Sequence, residues 1–139
     1  MNILVIDAQG GGIGRQLVTK LMERIPEADI VAAGTNSMAT NAMIKAGAKR
    51  AATGENAIRY CASQAQIITG PIGILVANAM LGEISPIIAE SVGSSTAPKV
   101  LVPTAHCNTI IAGTKALPVK ECIEDAVDRI VSLYGGEEN

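Results

Sequence analysis

The sequence predicts an α/β fold: a three-layer, Rossmann-like open sheet of five or six mostly parallel strands with helices on both faces. Three observations predict it. Short β-branched runs alternate with segments of helical period along the whole chain, the pattern of successive strand-helix-strand units. The strand runs are apolar without alternation, as expected of strands covered on both faces. The first strand-helix junction, Asp7 to Gly14, is rich in glycine.

The elements follow in order. Ile3 to Ile6 is a four-residue apolar run, read as a central strand. Ile13, Leu17, Leu21 and Ile25 recur every fourth residue among Arg15, Gln16, Lys20, Glu23 and Arg24, which marks an amphipathic helix. Asp29 to Ala33 is a second strand ending at Gly34-Thr35-Asn36, and a helix from Ser37 to Ala46 is closed by Gly47. Arg50 to Thr53 is a short strand, and Gly54-Glu55-Asn56 opens a helix to about Ser63. Gln66 to Thr69 is the fourth strand, stopped by Gly70-Pro71-Ile72-Gly73. An apolar helix is predicted from Ile72 to Leu81, with a second piece reaching Val92 after a break at Gly82 or before Pro86. Lys99 to Pro103 is the fifth strand, and Thr109 to Ala112 is the candidate for a sixth. Pro118 begins a last helix whose stripe is Val119, Cys122, Ile123, Ala126, Val127, Ile130 and Tyr134.

Composition narrows the function. With 139 residues the chain reads as a single domain, 1–139, leaving no room for a large second substrate domain. Net charge is −2, so no cationic field exists to hold a nucleic-acid backbone. Tyr60 and Tyr134 are the only aromatics, too few for base-stacking platforms. Three cysteines without a Cys-x-x-Cys pair, and a first segment lacking a basic leader, lead us to expect a reduced, cytoplasmic protein. The uncharged run between Arg59 and Glu83 is interrupted by Gln64, Gln66, Gly70, Pro71, Gly73 and Asn78, which suits a buried strand and helix better than a membrane span.

The glycine turn carries the main functional signal. Glycines between a strand and a helix permit a tight turn and close approach of backbone to ligand, and the helix N-terminus offers N–H groups to an anion. Gln9, Gly10, Gly11, Gly12, Ile13 and Gly14 are therefore the candidate phosphate cradle. The spacing is nearer the Gly-x-x-x-Gly-x-Gly turn of short-chain dehydrogenases than Gly-x-Gly-x-x-Gly, with Ala8 in the first glycine's place. The Tyr-x-x-x-Lys pair of those enzymes is absent, and the second strand ends without an Asp or Glu to hold a ribose. The residues leave the cofactor open between NAD(P) and another nucleotide. A turn whose glycines serve only helix packing is the alternative.

In an open parallel sheet, ligands lie beyond the carboxyl ends of the strands. Besides the turn, the residues collected there are Thr35, Asn36, Thr53, Glu55, Asn56, Gly70, Gly73, His106 and Asn108, which complete the candidate site. Helix capping alone accounts for Thr35, Ser37 and Thr53. His106, the sole histidine, is open between a turn residue, a hydrogen-bonding or acid-base group partnered by Glu55, and a metal ligand. Scattered His and Cys lack metal-ligand spacing, so no metal site is expected. No catalytic residue is assigned. The helix predicted at Ile72 to Leu81 has no polar face, and residues 72–92 are accordingly expected to form a homo-oligomer contact.

Taken together, Val5-Ile6-Asp7-Ala8-Gln9-Gly10-Gly11-Gly12-Ile13-Gly14, Gly34-Thr35-Asn36, Thr53-Gly54-Glu55-Asn56-Ala57-Ile58 and Gly70-Pro71-Ile72-Gly73-Ile74 resemble a small bacterial family classed as a domain of unknown function. The resemblance implies a cytoplasmic, stand-alone Rossmann-like protein with no assigned reaction. The expected function is binding of a nucleotide or other phosphorylated small molecule at the first turn. One alternative is a small lyase or isomerase acting on a phosphorylated metabolite, similar in size and layout to methylglyoxal synthase; it needs Asp7, Glu55 or His106 to converge. A non-catalytic homo-oligomeric assembly or regulatory subunit is the other.

Overall fold

The structure, a computed structural model, describes residues 1–104 and 108–136. The chain forms β1 (Asn2–Asp7), α1 (Gly12–Arg24), β2 (Asp29–Gly34), α2 (Ser37–Ala46), β3 (Arg50–Thr53) and α3 (Glu55–Gln64). It continues with β4 (Ile67–Pro71), a 3-10 turn (Ile72–Leu75), α4 (Pro86–Ser94), β5 (Lys99–Val102) and α5 (Val119–Tyr134). The sheet order is β3-β2-β1-β4-β5, and every pairing is parallel. This is the doubly wound, Rossmann-like arrangement.

Alternation along β1 builds the three layers. Ile3 and Val5 pack with Leu17, Val18, Leu21, Met43, Ile123 and Ile130, which puts α1, α2 and α5 on one face. Leu4 and Ile6 pack with Ile58, Ala62, Ile88 and Val92, which puts α3 and α4 on the other. Each fully buried aliphatic side chain contributes roughly 1.5–3 kcal/mol, so β1, buried along nearly all its length, anchors both layers. It pairs with β2 from Asn2↔Asp29 to Asp7↔Gly34 and with β4 from Ile3↔Ile67 to Val5↔Thr69. The order of strand addition reverses between β1 and β4, and a crevice opens beyond the strand ends at such a point.

Three expectations are corrected. Residues 72–81 form no long helix: after the single 3-10 turn the chain becomes an irregular strap over 76–85. Asn78, Met80, Leu81 and Gly82 all have positive φ, a run that a right-handed helix does not contain. The apolar residues are buried singly instead, with Ile74, Ala79 and Ile84 in the second core and Leu81 98% exposed. Among the described residues the sheet has five strands, and Thr109 to Ala112 adds none. A four-residue run becomes a strand only by pairing, and here the chain runs off the sheet with Ile110 95% exposed. Val119 lies outside the buried stripe of α5, which is Ile123, Ala126, Val127 and Ile130; it stands in the first helical turn, none of whose residues is buried.

One core position carries an unpaired polar group. Thr69 on β4 is fully buried, and its hydroxyl has no hydrogen-bond partner among the described residues. Removing such a hydroxyl while keeping its shape relieves a desolvation cost. Thr69→Val is expected to raise the urea unfolding midpoint, by about 1 kcal/mol of stability. A loss of stability would show that the hydroxyl is paired.

Candidate functional site

The carboxylate of Asp7, at the end of β1 and 4% exposed, closes the first turn upon itself. Its Oδ1 accepts the N–H of Ala8 at 2.8 Å and its Oδ2 accepts the N–H of Gly14 at 2.7 Å. Gly14 N–H is the third of α1, so the side chain caps the helix from inside the fold and favours the positive end of its dipole. Burial pushes the Asp7 carboxyl above its ordinary value; the two N–H bonds work against this, and the charge of Glu83 adds to it.

This inner cap divides the turn's donors. Arg15 N–H bonds Gly11 O within the helix start and Gly11 N–H bonds Ala8 O. The N–H groups of Gly10, Gly12 and Ile13 have no partner among the described residues. These three residues line a cleft of about 190 Å³, shared with Asp7, Ala8, Gln9, Gly11, Pro71, Met80 and Thr104.

The glycines divide in the same way. At Gly11 (φ +72) a Cβ would stand 2.9 Å from the backbone of Ala39, and at Gly14 it would stand 2.9 Å from Asp7 Cβ. Both are required by the packing of the turn against α2 and β1. At Gly10 and Gly12 a Cβ would meet nothing within 4 Å, and neither has positive φ. Nothing in the chain itself requires glycine at these two. A backbone left bare against open space is what close approach to a ligand requires.

Beside the turn lies a residue that the sequence does not single out. Glu83, on the strap, reaches over the tip of β2, where its Oε1 accepts the N–H of Gln9 at 2.9 Å, the Thr35 hydroxyl at 2.6 Å and the Asn36 amide at 2.9 Å. Burial acts against its charged form, but the bonds from Thr35, Gln9 and Asn36 together prevail and hold its carboxyl below the ordinary value. Asn36 also donates to Gln9 O at 3.0 Å while its Oδ1 caps α2 at Ala39 N–H. Together these contacts hold Gln9 in its left-handed conformation, φ +50. The acid missing at the end of the second strand is thus supplied from 48 residues further along. Its sequence signal is the first charge after the uncharged run that begins beyond Arg59.

The other candidates are spread out. The Thr53 hydroxyl bonds Thr40 Oγ at 2.8 Å, inside a network that ties β3 to α2. Glu55 accepts from Ser85 Oγ at 2.5 Å and so fastens the strap to α3, outside the cleft lining. Asn56 is exposed on α3. Gly70 allows β4 to press against β1, since a Cβ there would lie 2.2 Å from Ile6 O. Gly73 is buried in the 3-10 turn. Asn108 is exposed, with φ +50. His106 and Cys107 lie outside the described residues. Of the two described carboxylates the lyase alternative invokes, Asp7 lines the cleft and Glu55 does not.

A larger groove, about 680 Å³, runs between β5, α5 and residues 114–117. Its walls include Val100, Leu101, Leu117 and Leu133, and no residue of the glycine turn. The cleft at the switch point, with its converging backbone donors, is the candidate site. No group of three or more His, Cys, Asp or Glu able to hold a metal occurs among the described residues. No helix among them is long and apolar enough to cross a membrane.

A family model described as "Domain of unknown function (DUF3842)" matches residues 2–135. No curated protein matches the chain. Among solved structures the chain is similar to the crystal structure of a dodecameric FMN-dependent Ubix-like decarboxylase from Escherichia coli O157:H7. Identity is 14% and the TM-score 0.49, with 99% of this chain and 96% of that chain covered.

The two carboxylates of the site titrate with opposite effect on stability. Native Asp7 holds its proton more tightly than the unfolded chain. Its contribution to stability is therefore full below the ordinary value of 3.8 and declines as pH rises toward the raised native one. Glu83 contributes above its ordinary value of 4.5, and loses that contribution as pH falls through the lowered native one. The stability of wild type relative to Asp7→Asn is expected to fall with rising pH in the first window. Relative to Glu83→Gln it is expected to rise through the second. Urea midpoints measured across acidic pH check both slopes, and parallel curves would contradict them.

Proposed function

The chain belongs to the DUF3842 family, and for this member we propose binding of a nucleotide or other phosphorylated small molecule at the first glycine turn. The single observation that carries the proposal is the division of the glycines: Gly11 and Gly14 are demanded by packing, whereas Gly10 and Gly12 face open space. The free N–H groups of Gly10, Gly12 and Ile13 then receive phosphate oxygens, and the α1 dipole favours the charge. Asp7 serves by holding the loop in the shape that presents those donors, not by touching the ligand's phosphate. Thr35 and Asn36, which do not line the cleft itself but hold Glu83 beside it, are assigned to the sugar's side, and Pro71 and Met80 supply apolar lining. With only two aromatics in the chain, the ligand's ring rests on aliphatic side chains and backbone.

Nucleotide is the class proposed, and NAD(P) is one member of it. Assembly with further copies through residues 72–92 belongs to the same reading. It is supported by the near-complete exposure of Leu81 at the crest of the strap and by exposed Ile87 on α4.

Alanine at Gly10 and Gly12 separates binding from folding. Each variant is expected to fold with essentially unchanged stability, because its methyl meets nothing within 4 Å. Each is expected to weaken binding at least tenfold, measured by calorimetry against a panel of pyrophosphate, NAD(H), NADP(H), ADP-ribose and ATP. A panel in which nothing binds the wild type, or in which both variants bind as well as it does, would overturn the proposal.

A further inference from the structure

In open sheets that hold a nucleotide on the first strand-helix turn, the sugar lies over the tip of the adjoining strand, where a carboxylate takes its hydroxyls. Here that tip is Gly34-Thr35-Asn36 and carries no charge of its own. The strap delivers Glu83 to the same place. The two oxygens of its carboxylate differ: Oε1 receives three hydrogen bonds, from Gln9, Thr35 and Asn36, and is saturated. Oε2 receives none among the described residues, although the side chain is only partly exposed. A fixed, partly buried acceptor with free lone pairs favours a hydroxyl donor and repels an anion.

The surroundings strengthen that preference. Glu83 is bonded to Gln9, a lining residue of the cleft, without lining the cleft itself; Asp7 is a second carboxylate, which does line it, and no Lys or Arg lies among the described lining residues. Arg15 and Lys45 face a separate depression with Ser37 and Met38, on the outer side of α1 and α2. A phosphate on the sugar would therefore meet a carboxylate at close range without a cation to offset it.

Resting on the binding proposed above, we infer that Glu83 determines sugar specificity: its Oε2 accepts a hydroxyl of an unmodified ribose and excludes a ribose bearing a 2′-phosphate. The ligand class narrows to nucleotides with a free ribose diol. The rival role for Glu83 is that of a latch that only fastens the strap to the β2 tip.

Glu83→Gln distinguishes the two roles. Glutamine keeps a carbonyl oxygen for the three donors, so the latch persists, but it replaces the free acceptor with a donor and removes the charge. Calorimetry on the full chain compares ADP-ribose with its 2′-phosphorylated form. The wild type is expected to prefer the diol at least tenfold, and Glu83→Gln to narrow that ratio at least tenfold. An unchanged ratio makes Glu83 a latch and overturns the inference while the binding site stands. Binding of pyrophosphate but of neither sugar compound likewise removes the sugar assignment alone. Failure of pyrophosphate and every nucleotide to bind the wild type removes both. Should Glu83→Gln not fold, the wild type alone decides: 2′-deoxy-ADP-ribose is expected to bind at least tenfold more weakly than ADP-ribose, and equal affinities overturn the inference.

Discussion

The structure of the first turn depends on one carboxylate. Asp7 ends the central strand, and its two oxygens take the N–H of the next residue and the N–H of Gly14 across the loop. That bridge sets the distance between the end of β1 and the start of α1, and so fixes the shape of the loop between them. A net charge at this depth is costly to bury, and two short hydrogen bonds plus the helix dipole offset part of that cost. Removing the side chain would leave a buried donor at the helix start, worth about 1–3 kcal/mol. It would also free the loop whose remaining donors form the site.

From that bridge the rest of the site follows by division of labour. Asp7 uses the inner donor of the helix start and leaves the outer ones directed at the cleft. Gly11 and Gly14 let the turn seat against α2 and β1, while Gly10 and Gly12 keep the cleft wall bare. The strap crosses from the end of β4 and is fastened twice, by Glu83 to the β2 tip and by Ser85 to Glu55. Its fastening links the tips of β1, β2 and β4 around one crevice.

Much of the fold was legible in the sequence because burial leaves periodic traces. The uninterrupted run Ile3 to Ile6, the four-residue recurrence in α1 and the cap at Gly47 each have a local cause. The strap was not legible for the same reason: Ile72 to Leu81 is apolar at every helical face, and hydrophobicity alone cannot separate a buried helix from residues buried one at a time. Asn78, Met80 and Leu81 instead take left-handed conformations in a loop closed on itself by backbone bonds, among them Asn78 N–H to Ile84 O and Gly82 N–H to Asn78 O. At the site, the glycine turn and the Thr35-Asn36 tip announce themselves through residue type and position. Glu83 does not, since its partners lie 47 to 74 residues away and no local pattern encodes them. Thr53, Glu55 and Asn56 occupy a strand end as expected. There, however, the Thr53 and Glu55 side chains serve contacts to α2 and the strap.

The most direct measurement is amide chemical-shift mapping of the ¹⁵N-labelled protein titrated with inorganic pyrophosphate. If the outer donors of the turn hold the anion, the N–H resonances of Gly10, Gly12 and Ile13 move together along one saturating isotherm. The Gly14 N–H, bonded to Asp7, moves least of the turn. Saturable shifts confined to the groove between β5 and α5, with the turn unmoved, would contradict the assignment of this turn as the anion site.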